Sequence, residues 1–289
     1  MEEGLSVIIP VYNESNSILT TIENVRVYMA ETDINWEIIA INDGSDDGSE
    51  KILKDIPDIK LVSHKMNRGY GASLKTGLRN AGFENICITD ADETYPNARI
   101  PELYEVFQEN NLDMLVGSRT GENISYPLIK KIPKFFIIKL ANYITNSRIP
   151  DINSGLRIFK KNRAMEFFHL YPNGFSFTTT ITCGMLSRGY EVEFHPIDYF
   201  KREGKSKIHP IRDTVGFFKL LLKIALYFNP FKFFKPIIII FGLISIGFLV
   251  RDLFYLKDLT QGSIFFPVVT LIFFSLGLMA DLIIKHSHK

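Results

Sequence analysis

The chain has 289 residues, 46% of them apolar and 13% aromatic, which excludes a disordered chain, because such chains lack the apolar surface that drives folding. Its 33 basic and 32 acidic residues leave a formal charge of +1, so no global field favours nucleic acid as a partner. The two cysteines, Cys87 and Cys183, lie far apart and form no CxxC pair, which excludes a disulfide framework and zinc-finger spacing.

The opening stretch MEEGLSVIIPVYNE is acidic and then polar, unlike a signal peptide. Residues 5–10 (LSVIIP) form a continuous apolar run, as in a buried parallel strand. A helix is predicted over 13–30, with Ile18, Ile22, Val25 and Met29 at helical spacing and Asn13 or Ser15 as its N-cap. A second strand, 36–41, ends at NDGSDDGS and leads into a helix at 51–56. A short strand at 59–63, a glycine-bearing helix at 69–80, a strand at 85–89 ending in DADETYP, a helix at 100–110 and a strand at 113–116 ending in GSR follow. Alternating strands and helices predict an α/β fold with a mostly parallel sheet covered on both faces. The loops at 12–14, 42–49, 90–96 and 117–119 all follow strands, so they share the carboxyl rim, where such sheets bind ligands.

The composition changes near residue 215. Residues 214–234 place Lys219 and Lys223 on one helical face among Leu, Ile and Phe, predicting an amphipathic helix in the headgroup plane. Two apolar runs follow, at about 233–250 and 264–284; at about 1.5 Å per residue the second reaches roughly 31 Å, the thickness of a hydrocarbon core. Lys219, Lys223, Lys232 and Lys235 flank the pair on one side, Lys285 and Lys289 on the other. The positive-inside rule puts both flanks in the cytoplasm and the 251–263 linker outside. The expected organisation is a domain over 1–213, an interfacial helix over 214–232 and a two-helix membrane hairpin over 233–289.

Asp90, Asp92 and Glu93 crowd three carboxylates after a buried strand. Their repulsion is relieved by a divalent cation such as Mg2+ or Mn2+, although an acidic turn in water reads the same way. Asp43, Asp46 and Asp47 suit either a turn before a helix or, for Asp43, hydrogen bonds to a nucleobase or ribose, with Tyr12 of PVYNE available to stack. Gly69 and Gly71 of NRGYG let backbone approach a ligand closely, but the spacing matches neither GxGxxG nor a P-loop. Arg119, Arg157, Arg202, Lys205 and Lys207 form the basic set, suited to phosphates or to anionic lipid. None of the histidines is assigned to chemistry, and no GxSxG elbow marks a hydrolase.

In order along the chain, SVIIPVYNE, NDGSDDGS, NRGYGASLKTGL, DADETYP, VGSR, DINSGLRIFKK, GFSF and KREGKSKI resemble the GT-A glycosyltransferases of family 2. Within these, the chain is most similar to the polyprenyl-phosphate type, the dolichyl-phosphate mannose or glucose synthases. The resemblance implies that Pro10, Tyr12, Glu14, Asp43 and Arg68 hold a nucleotide sugar. It implies that Asp90 and Asp92 form a DxD-like site for Mg2+ or Mn2+, and that Arg119, Arg202 and Lys207 bind phosphates of the donor or lipid acceptor. Asp151 would lie near the sugar and the attacking oxygen, as a positioner more than a base. The implied reaction moves a sugar, with inversion, from a nucleotide sugar (UDP favoured over GDP) to a polyprenyl or dolichyl phosphate at the bilayer; homo-oligomerisation stays open. Asn42, Glu93 and the acid-free Phe177–Thr180 stretch depart from the pattern. A processive polysaccharide synthase is disfavoured, because the only tryptophan, Trp36, forms no QxxRW motif. A transferase onto a neutral lipid hydroxyl and a non-catalytic sugar-nucleotide sensor are the remaining alternatives.

Overall fold

In the computed structural model, which describes residues 3–120, 131–174, 176–200 and 210–287, the first apolar run forms β1, Leu5–Val11. Leu5, Val7, Ile8 and Ile9 are all fully buried. Burial on both faces is why the run is continuous and not alternating. β2 (Trp36–Asn42), β3 (Lys60–Ser63), β4 (Asn85–Ile88), β5 (Met114–Ser118), β6 (Arg157–Lys160) and β7 (Val192–Pro196) complete a seven-stranded sheet of order β3-β2-β1-β4-β6-β5-β7. β1 pairs in parallel with β2 and β4, β2 with β3, and β5 with β7. β6 runs antiparallel to both β4 and β5. The sheet is therefore mostly parallel, as predicted, with one inverted strand.

The connecting helices are α1 (Ile18–Ala30), α2 (Ser49–Asp55), α3 (Tyr70–Asn80) and α4 (Ile100–Glu109), with α5 (Lys131–Thr145), α6 (Lys161–Glu166) and α7 (Phe177–Ser187) around the second half of the sheet. In α1 the buried residues include Ile18, Ile22, Val25 and Met29, the predicted face. The helix starts at Ile18, later than the predicted residue 13. Asn13 has φ +54°, which no α-helix accommodates, and its side chain exchanges hydrogen bonds with Asp46: Nδ2 donates to Oδ1 (2.7 Å) and Oδ1 accepts from the Asp46 N–H (3.0 Å). The Glu14 N–H donates to Ser49 Oγ (3.0 Å) and the Ser15 N–H to Asp47 Oδ2 (2.9 Å). Asn13 and Ser15 thus zip two rim loops together instead of capping a helix.

The chain divides into two compact units, Met1–Thr214 and Val215–Lys289. α8 (Pro210–Phe228) carries Leu221, Ile224 and Ala225 buried and Lys219 and Lys223 exposed. In the second unit α9 (Pro230–Arg251) and α10 (Gln261–Ser287) pack along each other, with aromatic contacts such as Phe241–Phe273 (5.7 Å between centroids) and Phe248–Phe266 (5.0 Å). Pro230–Leu256 and Gln261–Ile284 are long and apolar enough to cross a membrane. Their outer faces expose large apolar side chains, among them Leu243 (65%) and Leu282 (66%). At the turn the fully buried Asp252 accepts hydrogen bonds from Arg251 Nη2 (2.7 Å), the Thr260 N–H (2.6 Å) and Ser263 Oγ (2.7 Å). A buried carboxylate needs such partners, so these residues close the hairpin as one hydrogen-bonded unit.

Candidate active site

The loops after β1, β2, β4 and β5, and the turn before the inverted β6, open on one rim of the sheet. Asp90 and Asp92 follow β4 and are half-buried. Asp92 Oδ1 accepts the Thr94 hydroxyl (2.6 Å), which fixes the acidic turn. Tyr70, the first residue of α3, donates its hydroxyl to Asp90 Oδ1 (2.9 Å). Burial and the Asp90 charge push the Tyr70 pKa well above its usual value, so the phenol keeps the proton it donates. On another side of Asp90 sits Gly155, where a Cβ would lie 2.9 Å from Asp90 Oδ2 and 3.0 Å from Oδ1. Glu93 is exposed, with φ +56°.

Two carboxylates form an all-oxygen donor set that suits Mg2+ or Mn2+, hard cations that complete their shells with phosphate and water. Among the described residues, no group of three His, Cys, Asp or Glu side chains lies close enough to hold a cation. Phosphate oxygens and water would then complete such a shell, and two carboxylates of this kind fit the cation.

Asp43, expected to meet base or ribose, is 3% exposed. Its Oδ1 pairs with His64 Nδ1 (2.6 Å) and accepts the Arg68 N–H (2.9 Å), while Oδ2 accepts the Gly69 N–H (2.8 Å). His64 Nε2 in turn meets Thr76 Oγ1 (2.9 Å). Asp43 anchors the 67–69 loop, and the loop presents the exposed Arg68 side chain. His64, passed over in the sequence, lies in this network because β3 runs beside β2, which brings it next to a residue 21 positions earlier. Asn42, one of the departures from the resembled pattern, is fully buried and accepts the Ser45 N–H within its own loop (3.1 Å). Pro10, Tyr12 and Glu14 are part-exposed at the end of β1.

Gly69 and Gly71 approach the chain's own backbone. A Cβ on Gly69 would lie 2.5 Å from the Asn173 carbonyl oxygen, and one on Gly71 2.2 Å from that of Pro172. The Gly71 and Ala72 N–H groups donate to the carbonyls of Gly174 (3.2 Å) and Asn173 (3.0 Å). The glycine pair thus seats the 172–174 turn on the start of α3, a long-range contact that local spacing does not display.

Asp151 is 1% exposed and holds Arg119 in a two-pronged ion pair, Nε to Oδ2 (2.7 Å) and Nη2 to Oδ1 (2.9 Å). It also accepts the N–H groups of Arg119 (3.2 Å) and Asn153 (3.2 Å). The Arg119 guanidinium lies 5.0 Å from the Tyr199 ring centroid. The expected phosphate-binding arginine is thus oriented by the expected sugar-side aspartate. Arg157 is fully buried and donates to the carbonyls of Ser154 and Thr178 and to Thr182 Oγ1. Burial lowers its pKa to about 10, which still leaves a cation at neutral pH, but one enclosed by protein and not presented to a phosphate. Thr178, Thr179 and Thr180 occupy the first turn of α7, and Thr179 Oγ1 donates to Asn153 Oδ1 (2.8 Å). Arg202, Lys205 and Lys207 lie outside the described residues.

The chain belongs to glycosyl transferase family 2, whose model matches residues 6–168, more than half its length. It is 24% identical to a dolichyl-phosphate hexose transferase of Haloferax volcanii over 78% of this chain and 95% of that one. It is 30% identical to an undecaprenyl-phosphate 4-deoxy-4-formamido-L-arabinose transferase of Aeromonas hydrophila over 55% of this chain, and spans only about half (49%) of that longer protein. The fold is that of glucosyl-3-phosphoglycerate synthase from Mycobacterium tuberculosis, solved with Mn2+ and UDP-glucose (TM-score 0.60, 14% identity, covering 77% of this chain and 80% of that one). The mannosyltransferase PcManGT of Pyrobaculum calidifontis, solved with GDP-mannose and Mn2+, shares it too (TM-score 0.55, 21% identity, covering 78% and 65%). The GT-A expectation is met.

Proposed function

We propose that this chain is a membrane-anchored, inverting glycosyltransferase that moves a sugar from a nucleotide sugar, UDP-linked in preference to GDP-linked, to a polyprenyl or dolichyl phosphate. The observation that carries the choice of acceptor is the engagement of Asp151. Its oxygens already accept the Arg119 guanidinium and two backbone N–H groups. The first turn of α7, where many relatives carry an acid, offers hydroxyls. With its best-placed carboxylate tied up, the site favours a nucleophile that arrives ionised. A phosphate monoester, with a second pKa near about 6, is largely dianionic at pH 7; a lipid alcohol would need a base to remove its proton. The names of the two relatives point to the same acceptor class.

In this reading a lipid phosphate oxygen attacks the anomeric carbon from the face opposite the leaving group, the glycosidic C–O bond breaks, and the nucleoside diphosphate departs. Asp90 and Asp92 would hold Mg2+ or Mn2+, which when bound supplies positive charge to the diphosphate. Arg119, fixed by Asp151, orients and partly neutralises the meeting phosphates. Arg202 and Lys207 are proposed to add charge on the acceptor side. The 67–69 loop, tied to Asp43, and Tyr12 frame the nucleotide. The apolar outer faces of α9 and α10 favour a lipid setting, α8 is proposed to lie in the headgroup plane, and the flanking lysines favour a cytoplasmic site.

The test is transfer of labelled sugar by detergent-purified protein to polyprenyl phosphate, from a panel of UDP- and GDP-sugars, with Mn2+ or with EDTA. Metal-dependent label in a mild-acid-labile lipid is expected. Nucleotide-sugar binding without transfer to any lipid phosphate would overturn the proposal.

A further inference from the structure

Two stretches far apart in the sequence flank the Asp90 carboxylate, and a tyrosine from Asp90's own turn pins one of them. Tyr70 comes from NRGYG, Gly155 from DINSGLR and Tyr95 from DADETYP. The Tyr70 hydroxyl donates to Asp90 Oδ1 (2.9 Å), and the space for a side chain at Gly155 is filled by the Asp90 carboxylate. Gly155 is itself pinned: its N–H donates to the Tyr95 hydroxyl (2.6 Å), and Tyr95 is buried (4% exposed) edge-on to Tyr199, 5.3 Å between centroids. Tyr70 is fixed in turn, because the first turn of α3 donates to the 172–174 backbone through Gly71 and Ala72. Asp90 therefore has one oxygen under a fixed hydroxyl and one flank against a fixed backbone.

We propose that Tyr70, Gly155 and Tyr95 form a cradle that presets the Asp90 carboxylate for its cation, with Tyr70 as a positioning residue that acts only through Asp90. The proposal rests on the reading of Asp90 and Asp92 as the metal ligands. Its physical basis is twofold. An aspartate left to rotate loses side-chain freedom when a cation arrives, and presetting it removes that cost from binding. A hydrogen bond to one oxygen of a ligating carboxylate also selects which oxygen faces the metal, the usual part of an outer-shell partner. Gly155 contributes by being small, since any side chain there would drive the carboxylate out of place.

The experiment is a titration of the purified full chain with Mn2+, reading free Mn2+ by electron paramagnetic resonance, with UDP present in one arm and GDP in another. Tyr70→Phe removes only the hydroxyl and is expected to weaken Mn2+ binding about 10-fold, the lower end for loss of an outer-shell partner. Turnover of this variant is expected to return to near the wild-type value at saturating Mn2+, a recovery that a general folding defect would not produce. Tyr95→Phe leaves Asp90 untouched but frees the Gly155 N–H, and is expected to weaken Mn2+ by a smaller factor. Gly155→Ala is expected to lose Mn2+ binding without recovery. Wild-type Mn2+ affinity in both tyrosine variants would overturn the cradle while leaving the glycosyltransferase reading intact. Absence of Mn2+ binding by the wild-type chain with either nucleotide would overturn the metal reading and the cradle together.

Discussion

Four aspartates stand on the same rim of the sheet, and the structure divides them into two pairs. Asp43 and Asp151 are sealed from solvent, at 3% and 1% exposure, and their oxygens are taken up by His64, Arg119 and backbone N–H groups. Asp90 and Asp92 are half-open and sit on the short turn after β4. The difference is environmental. A buried carboxylate surrounded by donors holds loops and cations of its own chain in place. A half-open pair of like charges gains from a cation arriving from outside, the role proposed above for Asp90 and Asp92.

Substitutions that treat the two pairs differently break or sharpen this comparison. The largest effect on activity is expected from Asp92→Asn, with transfer falling by about 100-fold or more while the thermal midpoint holds, since the loss is of transition-state charge stabilisation. Transfer unaffected by this variant, in assays with and without EDTA, would remove Asp92 from the metal site. Asp151→Ala should instead lose both activity and stability. It removes the two-pronged carboxylate partner of a largely buried guanidinium, a change worth about 3 kcal/mol at the lower end for a broken buried pair; denaturant unfolding checks this, and an unchanged midpoint would mean that other contacts hold Arg119 in place. Asp43→Ala should cost about 2 kcal/mol through the unmade bonds to Arg68 and Gly69 and raise KM for the nucleotide sugar more than it lowers kcat. A kcat effect alone would contradict the loop-anchor role.

The smallest effect concerns Asp47, which is exposed. Burial, the largest single influence, raises its pKa, but the hydrogen bonds from Ser49 and Ser15 together outweigh it and hold the carboxyl at about 2, below the ordinary 3.8 of an aspartate. Because the folded pKa is depressed, the contribution is present above pH 4 and fades as the pH falls toward 2. Asp47→Asn should therefore lower the melting temperature slightly at pH 7, and the gap should close between about pH 4 and pH 2. A gap independent of pH would mean that charge plays no part in the 13–15 to 45–49 zipper.

Much of the fold is legible in the sequence because buried parallel strands must be continuously apolar, which marks β1 and β2, and because the apolar residues of α1 recur at helical spacing. The DADETYP turn is legible because three acids crowded after a buried strand require an explanation. The inversion of β6 is not, since a four-residue strand, RIFK, reads the same in either direction. His64, Tyr70 and Gly155 escape notice for a related reason. Each matters through a residue brought near by the sheet, at separations of 21, 20 and 65 positions, and no local pattern carries that information. Gly69 and Gly71 are recognisable as close-approach residues, but their partner, the 172–174 backbone, is not.

The central claim is that the acceptor brings its own negative charge, so the site needs no free base. The most direct measurement compares polyprenyl phosphate with the polyprenol of the same chain length, at saturating Mn2+ and a fixed labelled donor. Transfer confined to the phosphate, at a rate that stays level from pH 7 to pH 8.5, is the result predicted here. Transfer to the polyprenol at a comparable rate, rising with pH, would contradict it and would assign Asp151 or another carboxylate the part of a base.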